Sequence, residues 1–286
     1  MSRYFVKSLV LILCICLAAC AKKPDEHKAQ FFVFGTLMEV SLWDTTPENA
    51  QQAFSDLQEL FQGMHYEWHA WEPGTLTEIN RAFASGITTP ATPSIVEMVR
   101  HSQKVEEDSE GRFNPSIGGL VGLWGFHTSE YPVEGPPPDR SEIRAWVDRQ
   151  PSSLDIRIDG TDLTSDNPAV QLDFGGIAKG YAIDIACERL KSVGVDNAIV
   201  NAGGDLRAMG NHGTRPWRIA VRKPGGGVIG TLETVGEEAI FTSGNYERFR
   251  QDQLKRYQHI MDPRTGWPVD DVASVTVITR EGWLAD

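Results

Sequence analysis

Cysteine is scarce in this chain. Of four in 286 residues, three crowd into the first twenty positions (Cys14, Cys16, Cys20) and the fourth is Cys187. If Cys14 and Cys16 leave with a leader and Cys20 carries lipid, only Cys187 remains and no intramolecular disulfide can be written, so a folded domain must hold through its apolar core. The 41% hydrophobic content and eight tryptophans suffice for one. Cys187 follows Ile185 and Ala186 in a run of small residues and reads as a buried thiol rather than a nucleophile. Positive charge is also short: 27 Lys and Arg stand against 39 Asp and Glu, a formal charge of −12, with no basic run. That balance argues against nucleic acid or an anionic membrane surface as a partner. A phosphorylated ligand would meet a repulsive mean field, so backbone N–H groups, one or two cations and a metal would have to hold it locally.

Long apolar runs are missing as well. The longest, Leu9 to Ala19, is too short to span a bilayer with margin, follows Arg3 and Lys7, and ends in Leu17-Ala18-Ala19-Cys20. This is the architecture of a bacterial signal peptide cleaved before a cysteine. The small residues ahead of Cys20 resemble a lipobox, which implies that residues 1–19 are removed and that Cys20 is lipidated as the new N-terminus. The mature chain then carries 25 basic against 39 acidic side chains, −14. Residues 20–30, with Lys22, Lys23, Pro24 and Asp25, read as a polar tether, and 31–286 as the domain. The expected location is a lipid anchor on a bacterial membrane, facing the periplasm or the cell exterior.

Along the domain, alternating Phe32, Phe34, Thr36, Met38, Val40 and Leu42 predict a strand. Thr46 before Pro47 and Glu48 predicts a helix start, and Ala50, Ala53, Leu57, Phe61, Met64 and Trp68 keep helical spacing for five turns. His65 and His69 lie four apart on it, a metal-capable spacing, but no third ligand is near in sequence and the pair reads as partly exposed polar residues. Helices are expected at 76–83, from Pro93 to about Glu107, and around Ile143. Arg112 to His127 holds too many glycines for a long helix and is too apolar for a solvated loop, so it should wrap the core and offer a wall to a flat ligand. A hairpin turning at Asp159-Gly160 and strands near 198–200, 217–221, 228–235 and 272–278 follow. Antiparallel sheets flanked by helices, an α+β fold with a barrel-like core, is the expected class.

The stretch LDFGGIAKGYAID, Leu172 to Asp184, organises the rest. Val170, Leu172 and Phe174 alternate as in a strand, Gly175-Gly176 turn, and Lys179 falls in the first turn of a helix. A bare backbone, a helix N-terminus and one ammonium can hold a phosphate. Neither a P-loop nor a dinucleotide fingerprint is present, because Lys179 is flanked by Ala178 and Gly180. Other chemistry-capable groups follow strands: Gly203-Gly204-Asp205, Thr242-Ser243, His259 and Asp286. Spacing alone supports a nucleotide- or cofactor-binding exported domain.

Five co-ordered motifs carry a closer resemblance: Leu123-Trp124-Gly125-Phe126; Gly175 to Asp184; Asn201 to Asp205; Thr242-Ser243-Gly244; and His259-Ile260 with Asp262 to Gly266. Together, from about Phe34 onward, they resemble the ApbE family of FAD:protein FMN transferases. The resemblance implies an ApbE-like fold and transfer of FMN from FAD to a Ser or Thr hydroxyl of an exported acceptor domain in a membrane redox complex, with release of AMP and a Mg2+ requirement. Carried over by position, it implies FAD contacts at Met38, Trp71, Phe113, Asn114, Asp173, Lys179 and Ile260. It implies metal ligation at Gly176 through its carbonyl and at Asp286 through its carboxylate. His259 is the candidate base. Asn114 and Ser116 stand where the family has Asp and Thr, and Gly74-Thr75 where it has Ser. The family continues beyond the position of Asp286 with a helix bearing a Thr metal ligand, so the chain is expected to be truncated there, with an incomplete metal site. An FAD pyrophosphatase and a non-catalytic FAD-binding lipoprotein remain open as alternatives.

Overall fold

A computed structural model describes residues 26–245, 248–253 and 255–286. The expected leader and Cys20 lie outside the described residues.

Six strands form the central sheet in the order in which they occur: β1 (Glu26–Val33), β2 (Thr36–Trp43), β3 (Asn197–Ala202), β4 (Asp205–Met209), β5 (Glu238–Gly244) and β6 (Ser274–Thr279), each antiparallel to its neighbour. The antiparallel α+β class is therefore as expected. Barrel-like closure is absent among the described strands, since β1 and β6 are unpaired edges. The single strand expected over Phe32 to Leu42 is a hairpin: Phe34 and Gly35 both take positive φ, 55° and 65°, and Val33 pairs with Thr36. Two left-handed residues make the turn whose twist matches antiparallel strands, which alternation of apolar residues does not reveal. Because β1 starts at Glu26, Glu26 to Gln30 belong to the sheet rather than to a tether.

The helices are insertions between these strands. Between β2 and β3 come α1 (Pro47–Trp68), α2 (Thr75–Ala84), α3 (Pro93–Asp108), α4 (Gly118–Leu123), α5 (Arg140–Val147) and α6 (Ala178–Ser192); α7 (Gly282–Ala285) follows β6. In α1, Thr46 is the N-cap, its Oγ1 accepting from Asn49 N at 3.2 Å, and Pro47 opens the helix where no N–H is needed. Its apolar stripe packs on the sheet with Met38, Val40 and Leu42. Alternation along β3 and β4 sends Ala198, Val200, Ala202 and Met209 into this main core, and Leu206 and Ala208 into a second one under the hairpin 218–233. A further cluster joins Leu120, Trp124 and Phe126 to Ile143 and Met261, with Trp124 Nε1 donating to Gly266 O at 2.9 Å. The glycine-rich 112–127 segment is thus a core-wrapping wall, as expected, and it carries the six-residue α4. Among the described residues no helix is long and apolar enough to cross a membrane.

Candidate functional site

Val170, Leu172 and Phe174 are all buried, but they do not lie in a ladder strand. A parallel bridge joins Gln171 to Ile117, and the Asn80 side chain serves Leu172 in place of a neighbouring strand. Asn80 Nδ2 donates to Leu172 O at 2.9 Å, and Leu172 N donates to Asn80 Oδ1 at 2.7 Å. Buried backbone groups must be paired, and here one amide does it. The chain then reaches Asp173, whose N donates to Pro115 O and whose Oδ1 accepts from Gly175 N at 2.9 Å, fixing the turn into α6.

Lys179, in the first turn of α6, does not present a free ammonium. Its Nζ donates to Asp205 Oδ2 at 2.8 Å and to Asp286 Oδ1. Burial works to lower its pKa, but the Asp286 and Asp205 carboxylates override that and hold it above the ordinary lysine range. One positive charge against two negative leaves the cluster with a negative excess. Asp205 is held in turn by Thr242 N, which donates to Oδ1 at 2.8 Å. Thr242 and Ser243 lie within β5 rather than after a strand.

Asp286 reaches Lys179 because α7 is docked on α6. Gly180 N donates to Asp286 Oδ2 at 2.9 Å, and Gly282 N and Trp283 N donate to the Asp184 carboxylate at 2.8 and 3.0 Å. Burial raises the Asp184 pKa, against these two N–H groups and Arg207, whose Nη1 lies 2.8 Å away. A Cβ on Gly180 would stand 2.1 Å from Gly282 O, so the approach of the two helices requires glycine. The side chain of Asp286 is 3% exposed.

His259 follows the strand Arg256–Gln258, in a bend rather than on the strand. Its Nδ1 is 3.1 Å from Arg248 O, a carbonyl that can only accept. The ring proton of the neutral imidazole is therefore on Nδ1, and the Nε2 lone pair is available. Burial, then the Arg248 guanidinium and Lys179, push the His259 pKa down to about 4, against the Arg248 carbonyl bond that raises it. The packing of 124–126 against 257–267 brings Phe126 edge-on to His259. Across the site, Trp71 is 39% exposed and stacks on His127, whose Nε2 is 3.1 Å from Asp173 Oδ2.

The expected residues thus divide. Lys179, Asp286 and Asp205 meet directly, and Trp71 and Asp173 meet through His127. Ile260 is 36% exposed next to His259, and the Phe113 ring lies 3.5 Å from where a Cβ of Gly176 would stand. Met38 is fully enclosed, 0% exposed, and supports the site from the core without offering it a surface. Both polar groups of the Asn114 amide serve backbone: Nδ2 donates to Pro151 O, 37 positions away, and Oδ1 accepts from Ser116 N. Arg248 and His127 escape sequence reading, because each acts through a partner distant in the chain.

Two other features lie near or away from this cluster. His65, His69 and Glu72 bring ligand atoms within 4.8 Å of one another, so a third candidate ligand does stand near in sequence, three residues after His69, contrary to expectation. However, Glu72 N donates to His69 Nδ1 at 3.0 Å, which puts the proton of the neutral ring on Nε2, the atom facing Glu72. That arrangement braces the backbone beside Trp71 and closes His69 as a ligand. Two surface grooves, of about 570 and 850 Å3, run along β1 against α1 and beside Pro136 to Asp139; neither contains Lys179, His259 or Asp286.

Comparison with known proteins matches this arrangement. The sequence profile of the ApbE family covers residues 34–286. An FAD:protein FMN transferase of Rhodobacter capsulatus is 40% identical over 271 residues, 93% of this chain but 50% of the relative, so the chain spans half that protein's length. The enzyme of that name from Haemophilus influenzae is 25% identical over 287 residues, 97% of this chain and 83% of its own length. The crystal structure of the ApbE protein from Thermotoga maritima superposes with a TM-score of 0.81 at 29% identity, covering 91% of this chain and 84% of the other. Flavin transferase ApbE from Vibrio cholerae gives 0.79 at 27%, covering 92% and 84%. With the motifs in order and the Lys179–Asp286 and His259 groups built on this sheet, the chain belongs to the ApbE family.

Proposed function

We propose that this protein is an FAD:protein FMN transferase that moves FMN from FAD to a Ser or Thr hydroxyl of an exported acceptor domain and releases AMP. The observation that carries this reading is His259, neutral, with its ring proton held on Nδ1 by Arg248 O and its Nε2 lone pair free. The names of the relatives support the substrate.

In this reading the acceptor hydroxyl attacks the FMN-side phosphorus of FAD. A new P–O bond forms, the bond to the bridging oxygen breaks, and AMP leaves with that oxygen. Nε2 of His259 takes the hydroxyl proton, a role usually worth about 10²–10⁴ in rate. Trp71, stacked on His127, and Phe113, beside Gly176, supply aromatic surface for the isoalloxazine. Asp205 and Asp286 supply hard oxygen donors in negative excess over Lys179, a donor chemistry that fits Mg2+. Asp286 and the Gly176 carbonyl would hold the ion, which neutralises phosphate charge when bound. A lipid at Cys20 would keep the domain at the membrane beside its acceptor.

The test is incubation with FAD, Mg2+ and a purified flavin-acceptor domain. A fluorescent acceptor band in a denaturing gel is the expected result. Free FMN and AMP without labelled acceptor would make the protein a pyrophosphatase, and unchanged FAD would end the catalytic reading.

A further inference from the structure

We propose that the Arg248 guanidinium is a phosphate-binding group of this site, taking the charge on the pyrophosphate that Lys179 is not free to take. The proposal rests on the FAD reading above and adds a residue to it.

The argument starts from charge. Lys179 is shared between Asp205 and Asp286, so the cation expected to meet the phosphates already has two anionic partners. Arg248 differs: among the described residues its side chain has no carboxylate and no carbonyl partner. Other arginines without a carboxylate or carbonyl partner among the described residues, such as Arg81, Arg215 and Arg280, are exposed, whereas Arg248 is partly buried. Its position is defined from three sides. Its carbon lies 5.8 Å from the centroid of the Tyr131 ring, and one terminal nitrogen is 3.8 Å from where a Cβ of Gly35 would stand. Its charge also acts on His259 and on Tyr131, and that of Asp173 acts on Tyr131 as well.

Arg248 therefore stands near both the β1–β2 turn and His259. Thr36, next to Gly35, lies with its Oγ1 2.7 Å from where a Cβ of Gly203 would stand, so the Gly203-Gly204-Asp205 turn borders the same space. Main chain and side chain of Arg248 thus act on one reaction: the carbonyl sets the His259 tautomer, and the guanidinium offers a planar fork of donors to phosphate oxygens. The cations acting on His259 are Arg248 and Lys179. An anion drawn to Arg248 would raise the basicity of His259 as it binds.

The experiment uses the full chain with Mg2+ and compares Arg248→Met, Arg248→Gln and Arg248→Lys with the unsubstituted protein. Titration calorimetry with FAD, ADP and riboflavin reads the affinities, and NMR of the His259 ring reads its titration. Both neutral variants should bind FAD and ADP at least tenfold more weakly while riboflavin is unchanged, and Lys should recover part of the loss. The His259 titration should move up from about 4 in Met and Gln. FAD and ADP affinities within twofold of the unsubstituted protein would overturn the proposal, as would an equal loss for riboflavin, which would make Arg248 a wall of the flavin site. If the unsubstituted protein binds ADP through Arg248 yet transfers no FMN, the transferase reading fails and the phosphate role stands.

Discussion

At the scale of single residues, His259 decides how the site responds to pH. Its folded pKa of about 4 lies below the ordinary 6.5, so the unfolded chain binds the proton first as pH falls. The contribution of this residue to stability is complete above about pH 6.5, declines from there to pH 4, and is constant below both values. His259→Gln should flatten that part of the stability-against-pH curve, measured by urea unfolding at closely spaced pH values. The same substitution should slow FMN transfer by about 10²–10⁴ while FAD affinity stays within a few-fold. Comparable loss of both would make His259 a binding residue. Cys187, fully buried with its pKa pushed up to about 12 by burial, should stay inert to alkylation in the folded protein.

Elements place these residues, and two glycines show how. Gly180→Ala puts a methyl 2.1 Å from Gly282 O, which is backbone and must move. We expect a loss of about 1–3 kcal/mol in denaturant unfolding, together with weakened Mg2+ binding by calorimetry, because displacing α7 carries Asp286 away from Lys179. Gly63→Ala is the matched control: it lies inside α1 with nothing within 4 Å of the new Cβ, and it should stabilise by about 0.5–1 kcal/mol. Asn80→Ala removes both partners of Leu172 and should cost about 1–3 kcal/mol per backbone group left unpaired. If its unfolding midpoint matched that of the unsubstituted protein, the amide would not be replacing a strand.

Across the whole molecule, acidity and an open sheet are the governing facts. On the reading proposed above, a chain of −12 would repel a dianionic dinucleotide at long range, and attraction would be local: Arg248, the backbone at Gly175-Gly176, and a cation on Asp286. Chelating Mg2+ with EDTA should weaken FAD binding at least tenfold in equilibrium dialysis, and added Mg2+ should restore it. Unchanged binding would show that side chains alone overcome the mean field. The six strands in sequential order leave β1 and β6 as edges; Lys179 and Asp173 are carried by the insertion between β2 and β3, Asp205 opens β4, and Asp286 closes the helix that follows β6. The scaffold can remain constant while the insertions set the chemistry.

What the sequence determined by itself is local. Thr46-Pro47 and the stripe of α1 gave that helix its start and buried face, because capping and periodicity are properties of neighbouring residues. The α+β class and the core-wrapping course of 112–127 were legible for the same reason, while motif order named Lys179, His259 and Asp286 as candidates, of which the fold brings Lys179 and Asp286 into contact. Only the tertiary structure decided that the first predicted strand folds into a hairpin, that Leu172 is held by a side chain 92 positions away, and that Met38 lies behind the site. It also decided that Lys179 is already paired, whereas Arg248 has no carboxylate partner among the described residues. Those outcomes depend on which distant groups meet, and a charge or an amide carries no mark in sequence of the partner that will satisfy it.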